Sequence, residues 1–410
     1  MRDYGQQDMT EGWQQIRLAE AMSLNIDQIP VDPATAYSLA GVYSFGRGLF
    51  TRGSLIGSAT SYRYLHLLHR DQFVMSKLKA WEGAVAIVTE SFDGAVLSPE
   101  FPTYDVNTKV VLPAFLSLVT TIPRFWDALA AQSRGIGGRK VRVHQLALLE
   151  VQIMLPPLDA QRRIVDLIGA VYDAIDAASK FGHQVSVLVR ALRETGLAAG
   201  KVTSLGDLIW SIDAGKSPSA EHRMPKSAES AVLKVSAVRP GWFDAREVKT
   251  LSSTEMFPEA ASLRDGDLLI TRANTRELVG SVCRVVSAPA RYFLCDKTLR
   301  LNPREELVSA DYLLEALQSE DARRQIENAA TGTSGSMKNI SQDSIRALRV
   351  PVLDRPEQDA WATTVRGARE LERSAAALIS ELQLLRSTLL SDLLSGQHEI
   401  PNTYDALLSA

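Results

Sequence analysis

The stretch Leu155-Pro156-Pro157-Leu158-Asp159-Ala160-Gln161-Arg162-Arg163-Ile164-Val165 decides the fold, because it opens a long helical segment that occurs twice. The first copy covers residues 159–200 and the second covers residues 354–396. Aligning Gln161 with Gln358 gives an offset of 197 residues, which is close to half of the 410-residue chain. A repeat of this length predicts two similar halves, each a globular module followed by a long helix.

Both helical copies carry apolar residues with a mean spacing of 3.5, the period of coiled-coil packing. In the first copy, the row of apolar residues runs from Ile164 through Ala178 and resumes at Val185 and Val189 after Gly182. We therefore expect the two helices to pack on each other in antiparallel fashion, with the modules at opposite ends. The alternative is that each helix packs only on its own module. The residues predicted for helix pairing or partner docking are Ile164, Ile168, Val171, Ile175, Val185 and Leu192 in the first helix, and Leu371, Leu378, Leu382, Leu385 and Leu389 in the second.

The modules themselves read as mixed helix and strand, so the predicted fold class is α+β. In the first module, strands are expected at 84–89 and 95–98, joined at an Asp-Gly turn, and a helical stretch at 112–131 is broken by Pro123. In the second module, strands are expected at 232–238, 267–271, 278–287 and 292–301, and one helix at 311–329.

The composition is that of a globular protein, with 45% hydrophobic and 23% charged residues and a net charge of −3. No apolar run approaches the ~20 residues of a membrane span, and the N-terminus lacks the apolar core of a signal peptide. Cys283 and Cys295 lie in apolar stretches, where free buried thiols are favoured over a disulfide. These features predict a cytoplasmic protein.

Motifs for catalysis are absent or weak. Ser44-Phe45-Gly46-Arg47-Gly48 lacks the flanking strand and helix of a nucleotide-binding glycine loop. His66 and His69 are the only close histidine pair and lack partners at ligand spacing, so surface positions are favoured over a metal site. Asp213 with Glu247-Val248-Lys249 is the nearest approach to a metal-dependent nuclease site, and such triplets arise often by chance.

Each module ends in a glycine-rich loop that carries basic residues, at 134–142 and at 331–339. Glycine lets the main chain approach a phosphate backbone, and arginine forks onto phosphate or guanine. A solvated surface charge is the alternative for any one of these residues, but the repetition of the loop favours DNA binding. The predicted DNA-contacting residues are Lys77, Lys79, Arg134, Arg139, Lys140, Arg142, Arg272, Asn274, Arg276, Lys338 and Asn339.

The ordered set of motifs resembles the specificity subunit of type I restriction–modification systems. Residues 155–165 look like the family's Pro-Pro-Leu-x-x-Gln-x-x-Ile signature. Residues 76–84 followed by 93–101 are similar to its first-module core, and 263–269 resemble its lysine-proline-glycine-aspartate strand entry. The resemblance covers nearly the whole chain. The second helix copy departs from it, because residues 350–358 lack the double proline.

The resemblance implies two target recognition domains that read the halves of a split DNA sequence, at 1–155 and 201–350. It implies spacer helices at 156–200 and 351–397, followed by a tail at 398–410. The helices, roughly 60 Å long at about 1.5 Å per residue, would set the distance between half-sites. They would also dock two methyltransferase subunits.

The partner methyltransferase subunits would bring S-adenosylmethionine and methylate adenine, and a motor-nuclease subunit would add restriction. This chain would be non-catalytic and would hold neither cofactor nor metal. Two alternatives from other classes stay open. One is a metal-dependent nuclease that acts alone, and the other is a coiled-coil scaffold without sequence-specific DNA binding.

Overall fold

The computed structural model describes residues 12–134, 142–252, 257–332, 337–396 and 398–405. The chain divides into two compact units. Unit 1 comprises Met1–Ala177 and Leu378–Ala410, and unit 2 comprises Ala178–Ala377. Each unit therefore contains one module together with parts of both long helices. Within the described ranges, no helix is both long enough and apolar enough to span a membrane.

In the described part of unit 1, the module is built from short strands and four α-helices, and it is followed by a long helix that continues into unit 2. The strands are β1 (Gln14–Arg17), β2 (Met22–Leu24), β3 (Asp27–Pro30), β4 (Ala36–Val42), β5 (Leu49–Ile56), β6 (Tyr64–Leu67), β7 (Phe73–Met75), β8 (Val85–Ile87), β9 (Val96–Leu97), β10 (Thr103–Val106), β11 (Ser133–Arg134), β12 (Arg142–Val143) and β13 (Gln152–Leu155). The helices are α1 (Leu18–Ala21), α2 (Pro113–Val119), α3 (Pro123–Ala131), α4 (Gln145–Leu149) and α5 (Leu158–Leu197).

The module of unit 2 has the same kinds of element, followed by the second long helix. The strands are β14 (Lys201–Ser204), β15 (Ile209–Ala214), β16 (Ala220–Glu221), β17 (Ala231–Leu233), β18 (Val238–Arg239), β19 (Trp242–Phe243), β20 (Val248–Leu251), β21 (Leu268–Thr271), β22 (Ala273–Asn274), β23 (Val282–Arg284), β24 (Tyr292–Phe293), β25 (Thr298–Pro303), β26 (Lys338–Asn339) and β27 (Arg349–Val352). The helices are α6 (Leu205–Leu208), α7 (Ala310–Ala316), α8 (Glu320–Ala329), α9 (Gln342–Arg346) and α10 (Arg355–Ser395).

Each unit contains one four-stranded antiparallel sheet of the same design, in the order β2-β10-β7-β8 in unit 1 and β15-β25-β21-β23 in unit 2. A second, mixed sheet accompanies it, with the order β3-β6-β9-β4-β5 in unit 1 and β16-β20-β17-β24 in unit 2. In both units a strand at the module's start pairs with the strand before the long helix, β1 with β13 and β14 with β27. The predicted α+β class is confirmed.

The repeat holds a constant offset over the second part of each module. The helices α2, α4 and α5 begin at 113, 145 and 158, and α7, α9 and α10 begin at 310, 342 and 355, so every start is shifted by 197. At the module's start the shift is smaller, 187 between the first residues of β1 and β14. Unit 2 therefore carries ten extra residues between these two parts, where the mixed sheets also differ.

Several local expectations are corrected. The stretches 84–89 and 95–98 form β8 and β9, but these strands lie in different sheets and are not a hairpin. The expected helix at 311–329 is two helices, because the Ser319 hydroxyl caps a new start by accepting the Ala322 N–H at 3.2 Å. The strand expected at 292–301 is interrupted where the Thr298 hydroxyl takes the N–H of Cys295 at 3.0 Å. Both cysteines are free and buried, as expected.

A buried glutamine anchors the start of the first long helix. Gln161 is fully buried, and its Oε1 accepts the N–H of Leu112 at 2.8 Å. Its Nε2 donates to the carbonyls of Val110 at 3.0 Å and Pro156 at 2.9 Å. These bonds satisfy three main-chain groups at the junction of strand β13, helix α2 and helix α5, where unpaired polar groups would be costly.

The second long helix is anchored in the same way. Gln358 is also fully buried and accepts the N–H of Ser309 at 3.0 Å. Its Nε2 donates to the carbonyls of Leu307 at 2.9 Å and Leu353 at 2.8 Å. Every partner of Gln358 is shifted by 197 residues from the corresponding partner of Gln161, although Leu353 stands where the first copy has proline.

In unit 1, the start of α5 packs with the end of α10 and with the module. Ile164 and Ile168 share one buried cluster with Phe115 of the module and with Leu390 and Leu394 of α10. Further along α5, the Tyr172 ring lies 5.2 Å from the guanidinium carbon of Arg386, which precedes those leucines. Residue numbers that increase along α5 are therefore matched by residue numbers that decrease along α10, so the two segments pair in antiparallel fashion. They also pack on the module, which combines both expected arrangements.

In unit 2, the end of α5 pairs with the start of α10. Val185 and Val189 form a cluster with Val365 and Ala368. The indole N–H of Trp361 donates to the Leu192 carbonyl at 3.0 Å. Trp361 also belongs to the edge of the module's core, so this segment of α10 contacts module and helix together.

The row of helix-facing residues, here called the seam, follows the expected positions in α5. Ile164, Ile168, Val171 and Val185 are buried, and Ile175 and Leu192 are half-buried. Gly182 is half-buried and falls in step with this row, so it continues the pattern and does not interrupt it.

For three residues of α10, the prediction of helix pairing is wrong, and their role in partner docking stays a prediction. Leu371, Leu378 and Leu385 are 52%, 49% and 46% exposed. Leu382 and Leu389 are half-buried and remain in the row. The seam of α10 runs through Val365, Ala368, Glu372, Ala375, Ile379, Leu382, Arg386, Leu389 and Leu393. The three exposed leucines precede seam positions by one residue, and counting leucines drew the prediction toward them.

Candidate functional site

The glycine-rich loop of unit 1 extends from a short antiparallel ladder in which Ser133 pairs with Val143 and Arg134 with Arg142. Arg139 and Lys140 lie outside the described residues, and so does the side chain of Arg134. What the structure describes is the base of this loop and its neighbours.

Two of the predicted basic residues meet at that base. The Val143 N–H donates to the Lys77 carbonyl at 3.0 Å, which holds the loop against the residues that follow β7. The Lys77 ammonium donates to the Pro99 carbonyl at 2.8 Å. The Arg142 guanidinium lies 3.4 Å from the Glu100 carboxylate. Lys77 and Arg142, which are 65 residues apart in the sequence, therefore converge on the same dipeptide.

Lys79 lies two residues beyond Lys77 and is exposed. Its ammonium is 3.0 Å from the Glu82 carboxylate and 5.3 Å from the centroid of the Trp81 ring. The ring face attracts the cation, so the Lys79 ammonium is held beside Trp81 as well as beside Glu82.

Unit 2 repeats the arrangement with different residues. The Ile340 N–H donates to the Arg272 carbonyl at 2.9 Å, as Val143 does to Lys77 in unit 1. Strand β22 then pairs with β26, which places Asn274 opposite Lys338 and Ala273 opposite Asn339. Two predicted groups that are separate in the sequence, 272–276 and 338–339, are thereby brought together.

The side chains of this second site differ in how they are engaged. The Lys338 ammonium donates to the Gly332 carbonyl at 2.6 Å, and Arg276 lies 3.6 Å from the Glu327 carboxylate. Asn274 accepts the N–H of Thr275 through its side-chain oxygen at 2.9 Å. Within the described ranges, the half-buried Arg272 side chain makes no ion pair or hydrogen bond.

The carboxylates beside these cations do not prevent DNA binding. Exposed ion pairs contribute about 0–1 kcal/mol, so a phosphate can replace the carboxylate at little cost. Lys79, Arg142 and Arg276 are in this position, with 55%, 49% and 67% of their side chains exposed. The two loop bases can therefore present cations to an anionic backbone, one loop in each unit.

The histidine pair is not a metal site in the described part of the chain, which holds no cluster of three or more ligand residues. His66, expected at the surface, is buried. Its Nδ1 lies 2.7 Å from the Phe101 carbonyl, and its Nε2 lies 3.4 Å from the Gln28 amide nitrogen. Burial lowers the pKa of His66, which favours the neutral form of the ring. His69 is exposed and lies 2.8 Å from the Asp27 carboxylate.

The carboxylates of the nearest nuclease-like triplet are engaged in structural pairs. Asp213 accepts from Asn302 at 2.9 Å and lies 3.4 Å from Arg300. Glu247 accepts from the Ser236 hydroxyl at 2.5 Å and lies 3.6 Å from Lys234. Hydrogen bonding from Ser236 lowers the pKa of Glu247. Each carboxylate thus has its own neutralising partner.

Sequence reasoning missed a buried ionic cluster in unit 2. Glu315 of α7 lies between Arg193 of α5, at 2.9 Å, and Arg369 of α10, at 2.5 Å. All three side chains are at least 86% buried, since their exposed fractions are 3%, 14% and 10%. A single glutamate in an apolar helix gives no signal of this kind. The cluster ties both long helices to the module.

The chain matches no known protein-family profile. It is 30% identical to the specificity subunit of the type I restriction enzyme EcoEI from Escherichia coli over 147 residues, or 36% of this chain and 25% of that protein. It is 23% identical to the EcoKI specificity subunit of Escherichia coli strain K12 over 274 residues, or 61% of this chain and 57% of that protein. The matches thus span a quarter to somewhat over half of these relatives.

The fold is similar to that of solved structures over almost the whole chain. The S subunit of a type I restriction–modification system from M. genitalium superposes with a TM-score of 0.59 at 12% identity, over 96% of this chain and 98% of that one. A chain solved in work on assembly and conformational transition of the type I system has a TM-score of 0.56 at 18% identity, over 95% and 99%. The resemblance indicated by the repeated motifs is confirmed.

Proposed function

We propose that this chain, a relative of type I restriction-enzyme specificity subunits, is a non-catalytic subunit that reads a split DNA target. Each module would read one half-site with its glycine-rich loop and the basic residues at the loop base. One observation carries the proposal: Lys77 and Arg272 hold equivalent main-chain positions, each receiving the N–H that follows the loop. A binding loop that is duplicated together with its basic neighbour suits a target with two halves.

The proposal includes partners. Two methyltransferase subunits would dock on the long helices, bring S-adenosylmethionine and methylate adenine, and a motor-nuclease subunit could join them. The half-exposed Leu371, Leu378 and Leu385 support docking, because apolar residues that face away from the seam suit a partner surface. The complex would act on DNA in the cytoplasm.

The experiment is a comparison of methylated sites in the host genome with and without this protein. The proposal expects one split motif, methylated in both halves, that disappears when the gene for this chain is deleted. An unchanged methylation pattern would contradict it. The two half-sites should differ in sequence, because the loops at 134–142 and 331–339 differ.

Two further measurements separate the alternatives. Cleavage of DNA by the purified chain with magnesium alone would establish the stand-alone nuclease in place of the specificity subunit. A complex with Arg139→Ala and Lys140→Ala should bind its target more weakly than the parent complex. If both affinity and methylation are unchanged, the first loop does not read DNA, which would favour a scaffold.

A further inference from the structure

A cavity of about 620 Å³ lies within unit 1, between helix α3, the end of α10, Tyr172 of α5 and the loop after β4. Arg47, Arg124 and Arg386 line it, and its lining contains no aspartate or glutamate. Apolar walls are provided by Phe45, Ile122, Leu390 and Leu394.

Two of these arginines are held by aromatic rings and not by acids. The guanidinium carbon of Arg47 lies 4.8 Å from the centroid of Tyr43, and that of Arg386 lies 5.2 Å from the centroid of Tyr172. The Nε of Arg386 is buried and has no hydrogen-bond partner in the described part of the chain. A buried guanidinium N–H without an acceptor is costly, so the Arg386 guanidinium is incompletely hydrogen-bonded.

The third arginine is partly withdrawn from water. Arg124 is the second residue of helix α3 and donates to the Leu394 carbonyl. Burial lowers the pKa of its guanidinium. Among the described residues, none of the three arginines forms an ion pair with a carboxylate. Three cations around one cavity repel each other, so the cavity favours an anion.

Unit 2 has an equivalent groove, in which carboxylates of the chain itself lie beside the arginines. The corresponding groove, of about 480 Å³, is lined by three arginines and three glutamates, namely Arg190, Arg193, Arg369, Glu194, Glu320 and Glu372. The Glu194 carboxylate accepts the N–H of Glu320, the first residue of α8, at 2.8 Å. The Glu320 carboxylate lies 3.8 Å from Arg190. Unit 2 therefore neutralises its groove with its own carboxylates.

At the equivalent positions, shifted by 197 residues, unit 1 has Ser391 for Glu194 and Pro123 for Glu320. Both grooves are lined by three arginines, but the carboxylates of the unit 2 groove are missing from the groove of unit 1. We propose that this cavity binds a small organic anion, a carboxylate or phosphate group on a planar or apolar body. Guanidinium groups bind both kinds of anion through paired hydrogen bonds. The cavity volume lies in the range of about 300–1,000 Å³ typical of small-molecule sites.

Calorimetric titration of the full chain with three matched probes tests the proposal. Benzoate and phenyl phosphate share a ring and differ in the anionic group, and benzyl alcohol is their neutral counterpart. We expect at least one anion to bind with a dissociation constant below about 1 mM, and the alcohol not to bind. The anion that binds with the lower dissociation constant shows whether the cavity prefers a carboxylate or a phosphate group. If neither anion binds, or if the alcohol binds equally well, the proposal fails.

Two variants locate the binding. Arg386→Gln should weaken the tighter probe by about tenfold or more, because a charge-assisted hydrogen bond is lost. Ser391→Glu places a carboxylate where unit 2 has Glu194, so it should abolish probe binding and raise the Tm. Arg190→Gln, in the groove of unit 2, is the control and should bind like the parent. Equal binding by the parent, Arg386→Gln and Ser391→Glu would overturn the assignment.

Discussion

Gln161 and Gln358 make the same three hydrogen bonds to the main chain, each within its own unit, with every partner shifted by 197 residues. Both side chains are fully buried. The duplication has therefore preserved an interior hydrogen-bond pattern and not only a row of apolar residues. The long helix begins at a fixed place relative to its module in both copies.

Replacing this glutamine should be costly. Gln161→Leu leaves the N–H of Leu112 and the carbonyls of Val110 and Pro156 without their partner. We expect the free energy of unfolding to fall by about 3 kcal/mol, since each unsatisfied buried group costs about 1–3 kcal/mol and relaxation recovers part. Urea denaturation measures the change.

Gln358→Leu should lower the free energy of unfolding by a similar amount, because Gln358 makes the same three hydrogen bonds as Gln161. Gln383→Leu, an exposed change on α10, is the control and should alter stability by less than about 0.5 kcal/mol. A loss at Gln161 no greater than that of the control would contradict the anchoring role.

The phase of the α10 seam can be tested in unit 2 with one charged substitution at two positions. Val365 is fully buried in the helix pair and Leu371 is 52% exposed. Val365→Asp should destabilise the protein by about 3 kcal/mol or more, because an unpaired carboxylate is buried. Leu371→Asp should change stability by less than about 1 kcal/mol. We expect Val365→Asp to melt at a lower temperature than Leu371→Asp. The reverse order would show that the exposed-leucine positions, and not Val365, face the other helix.

The buried ionic cluster of unit 2 predicts a loss that a matched replacement repairs. Glu315→Gln removes the charge between Arg193 and Arg369. We expect it to cost about 3–5 kcal/mol, because two buried cations are then uncompensated. Thermal unfolding at fixed pH measures the loss.

The first copy supplies the design of the repair. At the positions of Arg193, Glu315 and Arg369, unit 1 carries Leu390, Leu118 and Tyr172. The triple variant Arg193→Leu, Glu315→Leu, Arg369→Tyr should regain most of the stability lost by Glu315→Gln, since a packed apolar cluster can replace a buried ion pair. A triple variant less stable than Glu315→Gln would show that the module of unit 2 needs the charges.

Much of the architecture could be predicted from the sequence, because the repeat of residues 155–165 is strong and its offset is constant toward the end of each module. The sequence pattern predicts the α10 seam one residue off at three positions, because it favours leucines. The seam itself includes Glu372 and Arg386, whose charged side chains give no sign in the sequence that they face the other helix. The equivalence of Lys77 and Arg272 was missed, since local insertions change the offset there from 197 to 195. The equivalence is visible in the main-chain hydrogen bonds from Val143 to Lys77 and from Ile340 to Arg272, and not in the residue types.

The proposed DNA reading makes a quantitative prediction for unit 2. Arg272→Ala in the assembled methyltransferase complex should weaken target binding and reduce the slope of log affinity against log salt by about one, as expected if Arg272 contacts one phosphate. Arg324→Ala, which removes an exposed arginine paired with Asp321, is the control and should leave the slope unchanged. If binding is equally salt-dependent with and without Arg272, this residue does not contact the DNA backbone.

His66 predicts a pH dependence of stability. Burial lowers the pKa of the folded-state ring below its usual value of 6.5. The unfolded chain therefore takes up the proton first, so the stabilisation is fully present above about pH 6.5 and is lost as the pH falls. The unfolding free energy should decline by at most about 1.4 kcal/mol per pH unit through this residue.

Urea denaturation between about pH 7 and pH 5 measures the decline. His66→Gln should flatten it, whereas His222→Gln, an exposed change in unit 2, retains His66 and should retain the slope. A slope that survives in His66→Gln belongs to another group.

The contrast between Glu315 with its two arginines and the residues Leu118, Leu390 and Tyr172 at the same positions of unit 1 has a thermal consequence. Apolar burial gains strength on warming from the cold and has a large heat capacity, whereas the penalty for desolvating ions falls as temperature rises. The contacts that tie helix to module in unit 1 should therefore weaken first on cooling, and those in unit 2 should hold better in heat. One duplicated frame thus carries two different temperature responses, and a host's growth temperature could select for either by exchanging three side chains.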